Sequence, residues 1–332
     1  MTIETIAIEG LSTPVSRIGL GTWAIGGWMW GGTDQNASIA TIRRAIDSGI
    51  NLIDTAPAYG FGASEEIIGK ALADGYRHKA VIATKVALEW QDGKVFRNAS
   101  AARIRREIED TLLRLRTDYV DLYQVHWPDT LVPIEETAAV LDELRAQGKV
   151  RALGVSNFSA AQMDAFRRVA PLSTTQPPYN LFERDIDRDV LPYVKEHKLV
   201  ALTYGALCRG LLAGRIDHAT RFGGDDLRQH DPKFIEPRRE QYVKAVRALD
   251  RFARDNFGKS VLALAVRWVL DRGPTVALWG ARRPEQLDEI DSAFGWHLDQ
   301  AAFAQIDAIV AQYVKDPVGP EFMAPPQRAL AA

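Results

Sequence analysis

Four residues with side chains suited to proton transfer stand at or just after the ends of short apolar runs. Asp54 ends the run Asn-Leu-Ile, Lys85 follows Ala-Val-Ile-Ala-Thr, and His126 follows Asp-Leu-Tyr-Gln-Val. Tyr59 comes one loop after Asp54. If the fold brings these residues together, a carboxylate, an amine, a phenol and an imidazole can pass a proton to or from a substrate oxygen.

The chemistry of each group suggests its role. A phenol titrates near pH 10, so a working Tyr59 needs a positive charge nearby to stabilise its phenolate. Lys85 can supply that charge, and Asp54 can keep the lysine protonated and aimed through a charge-assisted hydrogen bond. His126 then orients the substrate oxygen or relays the proton. Taken singly, each residue also has an ordinary structural interpretation, such as a helix cap, a solvated lysine or a core histidine.

The elements that must position these residues follow a regular rhythm. From about residue 17 onward, short apolar runs alternate with amphipathic segments of helical length, which predicts parallel strands covered by helices. About eight such units are present, the number that closes a barrel. We therefore predict an α/β fold of the (β/α)8 TIM-barrel type, with residues 1–332 forming a single domain. The predicted strands cover residues 17–20, 51–53, 80–83, 119–125, 152–155, 173–175, 200–203 and 275–278.

Helices and accessory segments complete this prediction. An N-terminal β-hairpin, with strands at residues 5–9 and from residue 15 onward, can plug the lower end of the barrel. An extra C-terminal helix is predicted over residues 299–314, followed by a tail that either folds over the barrel mouth or frays. Residues 206–239 are too many for an ordinary connecting loop, and we predict a lid there. The predicted helices between strands cover residues 38–48, 103–116, 134–147, 160–169, 241–256 and 284–294.

In a barrel of this type the functional residues lie at the carboxyl ends of the strands. Neighbouring strands are roughly 5 Å apart, so Asp54, Lys85 and His126, which end consecutive strands, should face one cavity. Tyr59 can reach the same cavity from the loop after Asp54. The joint occurrence of all four at adjacent strand ends favours a catalytic site over four incidental positions.

Composition narrows the class of ligand. The formal net charge of −2 and the isoelectric point near 6.3 argue against nucleic acid and anionic membrane partners, and favour a small neutral or weakly charged ligand. No leader or bilayer-spanning apolar stretch is evident, so we expect a cytoplasmic protein. The single cysteine, Cys208, excludes an internal disulfide, and the six histidines include no pair at metal-ligand spacing, so no metal is predicted. The oligomeric state stays open.

The candidate residues lie within longer motifs: Gly-Leu-Gly-Thr-Trp at 19–23, Asn-Leu-Ile-Asp-Thr-Ala-Pro-Ala-Tyr-Gly at 51–60 with Ser-Glu-Glu at 64–66, Thr-Lys at 84–85, Asp-Tyr-Val-Asp-Leu-Tyr-Gln-Val-His-Trp-Pro at 118–128, Lys-Val-Arg-Ala-Leu-Gly-Val-Ser-Asn-Phe-Ser at 149–159, Gln-Pro-Pro-Tyr-Asn at 176–180 and Gly-Leu-Leu-Ala-Gly at 210–214. On these motifs the sequence resembles the aldo-keto reductases over essentially its whole length. The resemblance implies that Asp54, Tyr59, Lys85 and His126 form a catalytic tetrad. In it the tyrosine would protonate a carbonyl that receives hydride from NADPH. The first motif is not a dinucleotide fingerprint, because its third glycine is absent.

The resemblance also implies contacts to the nicotinamide half of NADP(H). Ser156, Asn157 and Gln176 should hold the carboxamide, and Tyr204 should stack on the nicotinamide ring. The remaining residues expected to line the nicotinamide and its ribose are Thr22, Trp23 and Asp54.

Two further segments should bind the rest of the cofactor. In the last one, Gly280 to Glu289, Arg282 would meet the adenosine 2′-phosphate, which favours NADP(H) over NAD(H), and Gln286 and Glu289 would meet the adenine. This segment lacks the usual Ile-Pro before its glycine and the usual Asn after its last glutamate, which weakens the expected adenine contacts. A backbone strap around the pyrophosphate would comprise Gly205, Ala206, Leu207, Cys208, Arg209, Gly210 and Leu211.

Tryptophans cluster near the expected catalytic mouth and suggest an aromatic wall around a small carbonyl or polyol. With Trp28 nearby, the expected substrate contacts are Trp23, Trp30, Tyr59, Trp90, His126 and Trp127. Residues 21–32 and 204–210 look closest to a bacterial branch of glycerol dehydrogenases and glyceraldehyde reductases. The resemblance therefore implies reduction of aldehydes and ketones to alcohols, with reversible oxidation of small polyols such as glycerol.

Two other functions stay open at this point. One is a cofactor-binding regulatory subunit of the same fold with little turnover, which a complete tetrad disfavours. The other is a barrel isomerase or aldolase that uses Lys85 as a Schiff-base amine.

Overall fold

The computed structural model describes residues 3–329, and eight of its strands form a closed parallel barrel. The barrel order is β10-β11-β12-β3-β4-β5-β8-β9, so strands that follow each other along the chain are neighbours. This confirms the predicted (β/α)8 fold. The strands are β1 (Thr5–Ile6), β2 (Val15–Ser16), β3 (Ile18–Gly21), β4 (Leu52–Asp54), β5 (Val81–Val86), β6 (Leu88–Gln91), β7 (Lys94–Arg97), β8 (Val120–Val125), β9 (Val150–Ser156), β10 (Thr174–Gln176), β11 (Val200–Thr203) and β12 (Thr275–Gly280).

The helices agree with the sequence prediction in part. The short α2 and α6 were missed, and so was α8, in which every residue is buried and the polar face that marks an amphipathic helix is therefore absent. The helices are α1 (Gln35–Asp47), α2 (Ala63–Ala71), α3 (Ala101–Leu115), α4 (Ile134–Ala146), α5 (Ala160–Arg167), α6 (Val190–Glu196), α7 (Arg238–Phe257), α8 (Val261–Leu270) and α9 (Gln300–Tyr313).

The predicted helix over residues 284–294 is wrong. This segment forms two separate 3-10 turns, Pro284–Leu287 and Ile290–Ala293. The indole of Trp279 donates to the backbone oxygen of Gln286 (3.0 Å), and that oxygen would otherwise serve a continuing helix.

Two hairpins flank the barrel at opposite ends. The predicted β1–β2 hairpin is present, and its Ile8 and Val15 pack on the apolar side chains inside the barrel, so it closes the lower end. The β6–β7 hairpin was missed, although Asp92 and Gly93 form a turn with positive φ angles of 49° and 73°, a common hairpin signal.

The long connection after β11 lies against the loop after β3. The carboxylate of Asp225 accepts hydrogen bonds from the backbone N–H groups of Met29 (2.7 Å) and Gly31 (2.9 Å). The Leu227 N–H donates to the Met29 oxygen (3.0 Å). The predicted lid is therefore a segment that bridges two loops at the catalytic end.

Residues 314–329, which follow α9, fold back over the barrel. The backbone N–H of Arg97 in β7 donates to the Pro326 oxygen (2.9 Å), and Arg328 pairs with the buried carboxylate of Asp129 (2.5 Å). Between residues 3 and 329, no helix combines the length and apolar character needed to cross a membrane.

Candidate active site

Asp54, Lys85 and Tyr59 form one connected group at the carboxyl end of the barrel. Asp54 ends β4, and β5 carries Lys85 beside it. The Lys85 ammonium donates to Asp54 Oδ1 (2.8 Å), to the Thr55 backbone oxygen (2.8 Å) and to the Tyr59 hydroxyl (3.2 Å). The Lys85 side chain is 0% exposed, so this charge lies in a dry site where its three oxygen partners replace water.

His126 completes the cluster. Its backbone N–H donates to the Val86 oxygen (2.9 Å), which fixes the end of β8 beside β5. Its ring meets the Tyr59 ring edge to face, with centroids 5.8 Å apart. The structure therefore brings the four residues singled out in the sequence into a single group.

Burial and neighbouring charges shift the pKa values in this group. Burial disfavours the ammonium of Lys85, but Asp54 and Tyr59 outweigh it and raise the lysine pKa, so the amine stays charged. Burial raises the pKa of Tyr59 despite the opposing effect of Lys85, so the phenol is protonated. Burial, aided by Lys85, holds the pKa of His126 well below its usual value, so its imidazole is neutral.

Residues expected near the nicotinamide lie directly against this group. The Gln176 amide N–H donates to Asp54 Oδ2 (2.7 Å). Asn157, in the left-handed region with φ of 61°, donates to the His126 backbone oxygen (3.0 Å) and accepts from the Tyr204 hydroxyl (2.9 Å). Thr22 and Ser156 are anchored by hydrogen bonds to the Asp54 and Gln176 backbone oxygens, respectively (both 2.8 Å). These bonds were not predicted from the sequence.

The expected pyrophosphate strap, residues 205–211, has an unusual backbone. Cys208, Arg209 and Gly210 have consecutive positive φ angles of 45°, 54° and 91°. The Arg209 guanidinium points into the protein, where it pairs with Glu183 and Asp231 (both 2.5 Å). Any anion held by the strap would therefore meet its backbone and not the Arg209 charge.

The residues expected at the adenine end make local contacts. Arg282 Nη1 donates to the backbone oxygens of Trp30 (2.7 Å) and Gly32 (2.9 Å), while its Nε and Nη2 have no hydrogen-bond partner within residues 3–329. The Gln286 side-chain oxygen accepts from the Arg282 backbone N–H (2.9 Å), and Glu289 accepts from Ser260 (2.7 Å). Gly280 ends β12 beside Gly21 of β3.

The aromatic residues divide into two sets. Trp23 stacks on Tyr59 (centroids 6.0 Å apart) and touches Trp30 edge on (5.5 Å), so Trp23 adjoins the tetrad and Trp30 lies behind it. Trp90 instead packs on Phe61 (5.9 Å), which the sequence analysis did not select and which also contacts Trp28 (4.8 Å).

Trp127 lies outside both aromatic sets, under the guanidinium of Arg97 (5.1 Å). Among residues 3–329, no aromatic contact joins Trp90 or Trp127 directly to the tetrad. Their role as substrate contacts stays a prediction, based on their positions in loops near the catalytic mouth.

Comparison with known proteins places these observations in a family. The model of the aldo/keto reductase family matches residues 17–311. The aldo-keto reductase YhdN of Bacillus subtilis (strain 168) is 58% identical over 328 residues, covering 98% of this chain and 99% of that protein. The NADH-specific methylglyoxal reductase of Escherichia coli (strain K12) is 36% identical over 317 residues, covering 90% of this chain and 96% of that protein.

Solved structures of aldo-keto reductases are also similar to this chain. The glycerol dehydrogenase AKR11B4 from Gluconobacter oxydans superposes with a TM-score of 0.89 at 55% identity, covering 98% of this chain and 100% of that one. An aldo-keto reductase from Klebsiella pneumoniae in complex with NADPH superposes with a TM-score of 0.72 at 28% identity, covering 99% of this chain and 100% of that one.

Proposed function

The chain belongs to the aldo/keto reductase family, and from that premise we propose that it reduces small aldehydes and ketones with NADPH and oxidises short polyols such as glycerol in reverse. The observation that carries the proposal is the buried chain Asp54–Lys85–Tyr59, with the neutral His126 beside the phenol. This arrangement suits a reaction in which a carbonyl oxygen gains a proton.

Tyr59 is the proton donor in this proposal. A carbonyl oxygen between the phenol and the imidazole would accept the Tyr59 proton as negative charge develops on it. Lys85, 3.2 Å from the hydroxyl, stabilises the phenolate that remains, and Asp54 keeps Lys85 charged and aimed. His126, neutral at physiological pH, can donate a ring N–H to the same oxygen.

The residues around this group fit a nicotinamide cofactor, which when bound supplies the hydride. The Gln176 side-chain oxygen, on a residue only 2% exposed, accepts no hydrogen bond from residues 3–329 and is not sealed from solvent. A carboxamide N–H would satisfy it, with Ser156 and Asn157 alongside. Tyr204, fixed through its hydroxyl to Asn157, would present its ring to the nicotinamide.

The preference for NADPH rests on Arg282. Its free Nε and Nη2 can meet a 2′-phosphate while Nη1 stays on the loop after β3. Similar proteins differ in their cofactor, because the Klebsiella structure holds NADPH and the Escherichia coli relative is named NADH-specific. We choose NADPH because the charged Arg282 is the residue that we expect to meet the 2′-phosphate.

The substrate class follows from the aromatic wall and from the similar glycerol dehydrogenase. Trp23 and Trp30 limit the space beside Tyr59, which favours short chains. A Schiff-base mechanism at Lys85 is disfavoured, because its charged ammonium is occupied by three oxygens and a nucleophilic amine must be neutral.

The test is turnover of the purified protein with glyceraldehyde, methylglyoxal and larger carbonyl compounds, followed by the absorbance of the reduced nicotinamide. We expect NADPH to be oxidised, with the highest kcat/KM for the short substrates. Tight NADPH binding without turnover on any of them would instead support the regulatory-subunit function.

A further inference from the structure

Gln176 lies between the catalytic tetrad and the expected position of the nicotinamide. Its amide N–H donates to Asp54 Oδ2 (2.7 Å), while Asp54 Oδ1 accepts from Lys85 (2.8 Å). The three residues are at most 2% exposed. Gln176 is therefore the second hydrogen-bond partner of the carboxylate that holds the catalytic lysine.

This contact fixes the orientation of the amide. A carboxylate only accepts hydrogen bonds, so the NH₂ end of Gln176 must face Asp54 and the oxygen must face away. That oxygen has no partner within residues 3–329 and still reaches solvent. This oxygen can therefore accept a hydrogen bond from a ligand, and the carboxamide NH₂ of a nicotinamide is a suitable donor.

We propose that Gln176 is a positioning residue for the Asp54–Lys85 pair, and that it ties the orientation of the nicotinamide to the tetrad. This inference rests on the proposed function. The same amide group would hydrogen-bond to both Asp54 and the nicotinamide carboxamide. A donor at the Gln176 oxygen polarises the amide and so strengthens the hydrogen bond from its N–H to Asp54. The cofactor thus contributes to holding Lys85 against Tyr59 before the substrate arrives.

The substitution Gln176→Glu tests this with almost no change in shape. A glutamic acid can donate its O–H to Asp54, but the ionised form places two carboxylates together. Burial and the Asp54 charge raise the pKa of the new carboxyl. We expect kcat relative to wild type to be within about threefold at pH 5.5 and to fall at least about tenfold by pH 8.

The substitution Gln176→Leu removes the donor at every pH. We expect kcat for reduction to fall about 10- to 100-fold, because a hydrogen bond to a buried charge is lost, with the same ratio to wild type at pH 5.5 and 8. A rise in the NADPH dissociation constant with unchanged kcat would show that Gln176 serves only the cofactor, and would overturn the inference.

Gln305→Glu is the matched control. It makes the same exchange on the exposed face of α9, outside the site, and leaves the Gln176–Asp54 bond intact. The titratable groups around the site, which are Asp54, Tyr59, Lys85 and His126, remain in this variant and in both Gln176 variants. We expect the pH profile of kcat for Gln305→Glu to run parallel to that of wild type.

A second readout works without turnover. The melting temperature of Gln176→Glu should lie below that of wild type by a margin that widens from pH 5.5 to pH 8, because the unfolded carboxyl ionises freely while the buried one must ionise beside Asp54. If wild type turns over NADPH and Gln176→Glu follows its pH dependence in both rate and melting temperature, the Gln176 inference is wrong while the proposed function stands. If wild type shows no turnover, the proposed function fails and the melting temperatures still test the contact.

Discussion

The two ends of the expected cofactor cleft are built differently. At the nicotinamide end, functional side chains are bonded to one another: Lys85 to Asp54 and Tyr59, and Gln176 to Asp54. At the adenine end, Arg282 is bonded to backbone oxygens of the loop after β3, and Gln286 completes its own turn. The first end is prearranged for chemistry, whereas the second holds its own loops together and has spare donors for a ligand.

This difference predicts different consequences of mutation. Loss of the proton donor at the nicotinamide end should remove the reaction and leave cofactor affinity, because that group acts only in the transition state. A change at the adenine end should alter affinity and exchange of the cofactor and leave the chemical step.

The largest effect is expected for Tyr59→Phe. Loss of the general acid should lower kcat for aldehyde reduction about 10²- to 10⁴-fold. The ring that stacks on Trp23 remains, so the NADPH dissociation constant should stay close to that of wild type. Stopped-flow reduction and fluorescence titration of NADPH separate the two quantities. Reduction at the wild-type rate would show that another group donates the proton.

The next effect is expected for Arg282→Ala. Removal of a charged partner of the 2′-phosphate should raise KM for NADPH about 10- to 100-fold, with KM for NADH nearly unchanged. The neighbouring Arg283→Ala is the control, because Arg283 is exposed and has no expected cofactor contact. Equal losses with both cofactors would mean that Arg282 only holds the loop after β3.

A smaller effect is expected for Asp225→Ala, which removes two of the hydrogen bonds between the lid and the loop after β3. Both bonds are exposed to solvent, so each should contribute at the low end of the usual range of about 0.5–1.5 kcal/mol, and NADPH should dissociate about two- to tenfold faster. Asp255→Ala, on the exposed face of α7, serves as the control. An unchanged dissociation rate would show that the lid does not limit cofactor release.

The smallest effect is expected for the dependence of kcat on pH between 7 and 9. The raised pKa of Tyr59 and the lowered pKa of His126 keep the phenol protonated and the imidazole neutral across pH 7 to 9. The kcat for reduction should therefore change by less than about twofold in this range, and should fall only when the phenol ionises at higher pH. The kcat for polyol oxidation should instead rise as the phenol ionises, since oxidation needs the phenolate as the proton acceptor. An inflection of the reduction profile between pH 7 and 9 would contradict this assignment.

The sequence predicted the framework of the site because strand ends are marked by simple patterns. A polar residue after each apolar run, as at Asp54, Lys85 and His126, was enough to place these side chains on adjacent strands of a closed barrel. The β1–β2 hairpin was also predictable from a local pattern, because a turn signal separates its two short strands.

Other features depend on contacts that no local pattern encodes. The bond between Gln176 and Asp54 joins residues 122 positions apart. The two turns after β12 depend on an indole that takes a backbone oxygen, and α8 is buried on all sides. The inward direction of Arg209 follows from Glu183 and Asp231, which approach it from other parts of the chain.

The proposal that Tyr59 protonates a carbonyl reduced by NADPH is best tested by the rate of NADPH oxidation with glyceraldehyde, measured for wild type and Tyr59→Phe at equal cofactor saturation. We expect rapid oxidation by wild type and a loss of about 10²-fold or more in the variant. Comparable rates in the two proteins, or no oxidation by wild type with any small carbonyl compound, would contradict it.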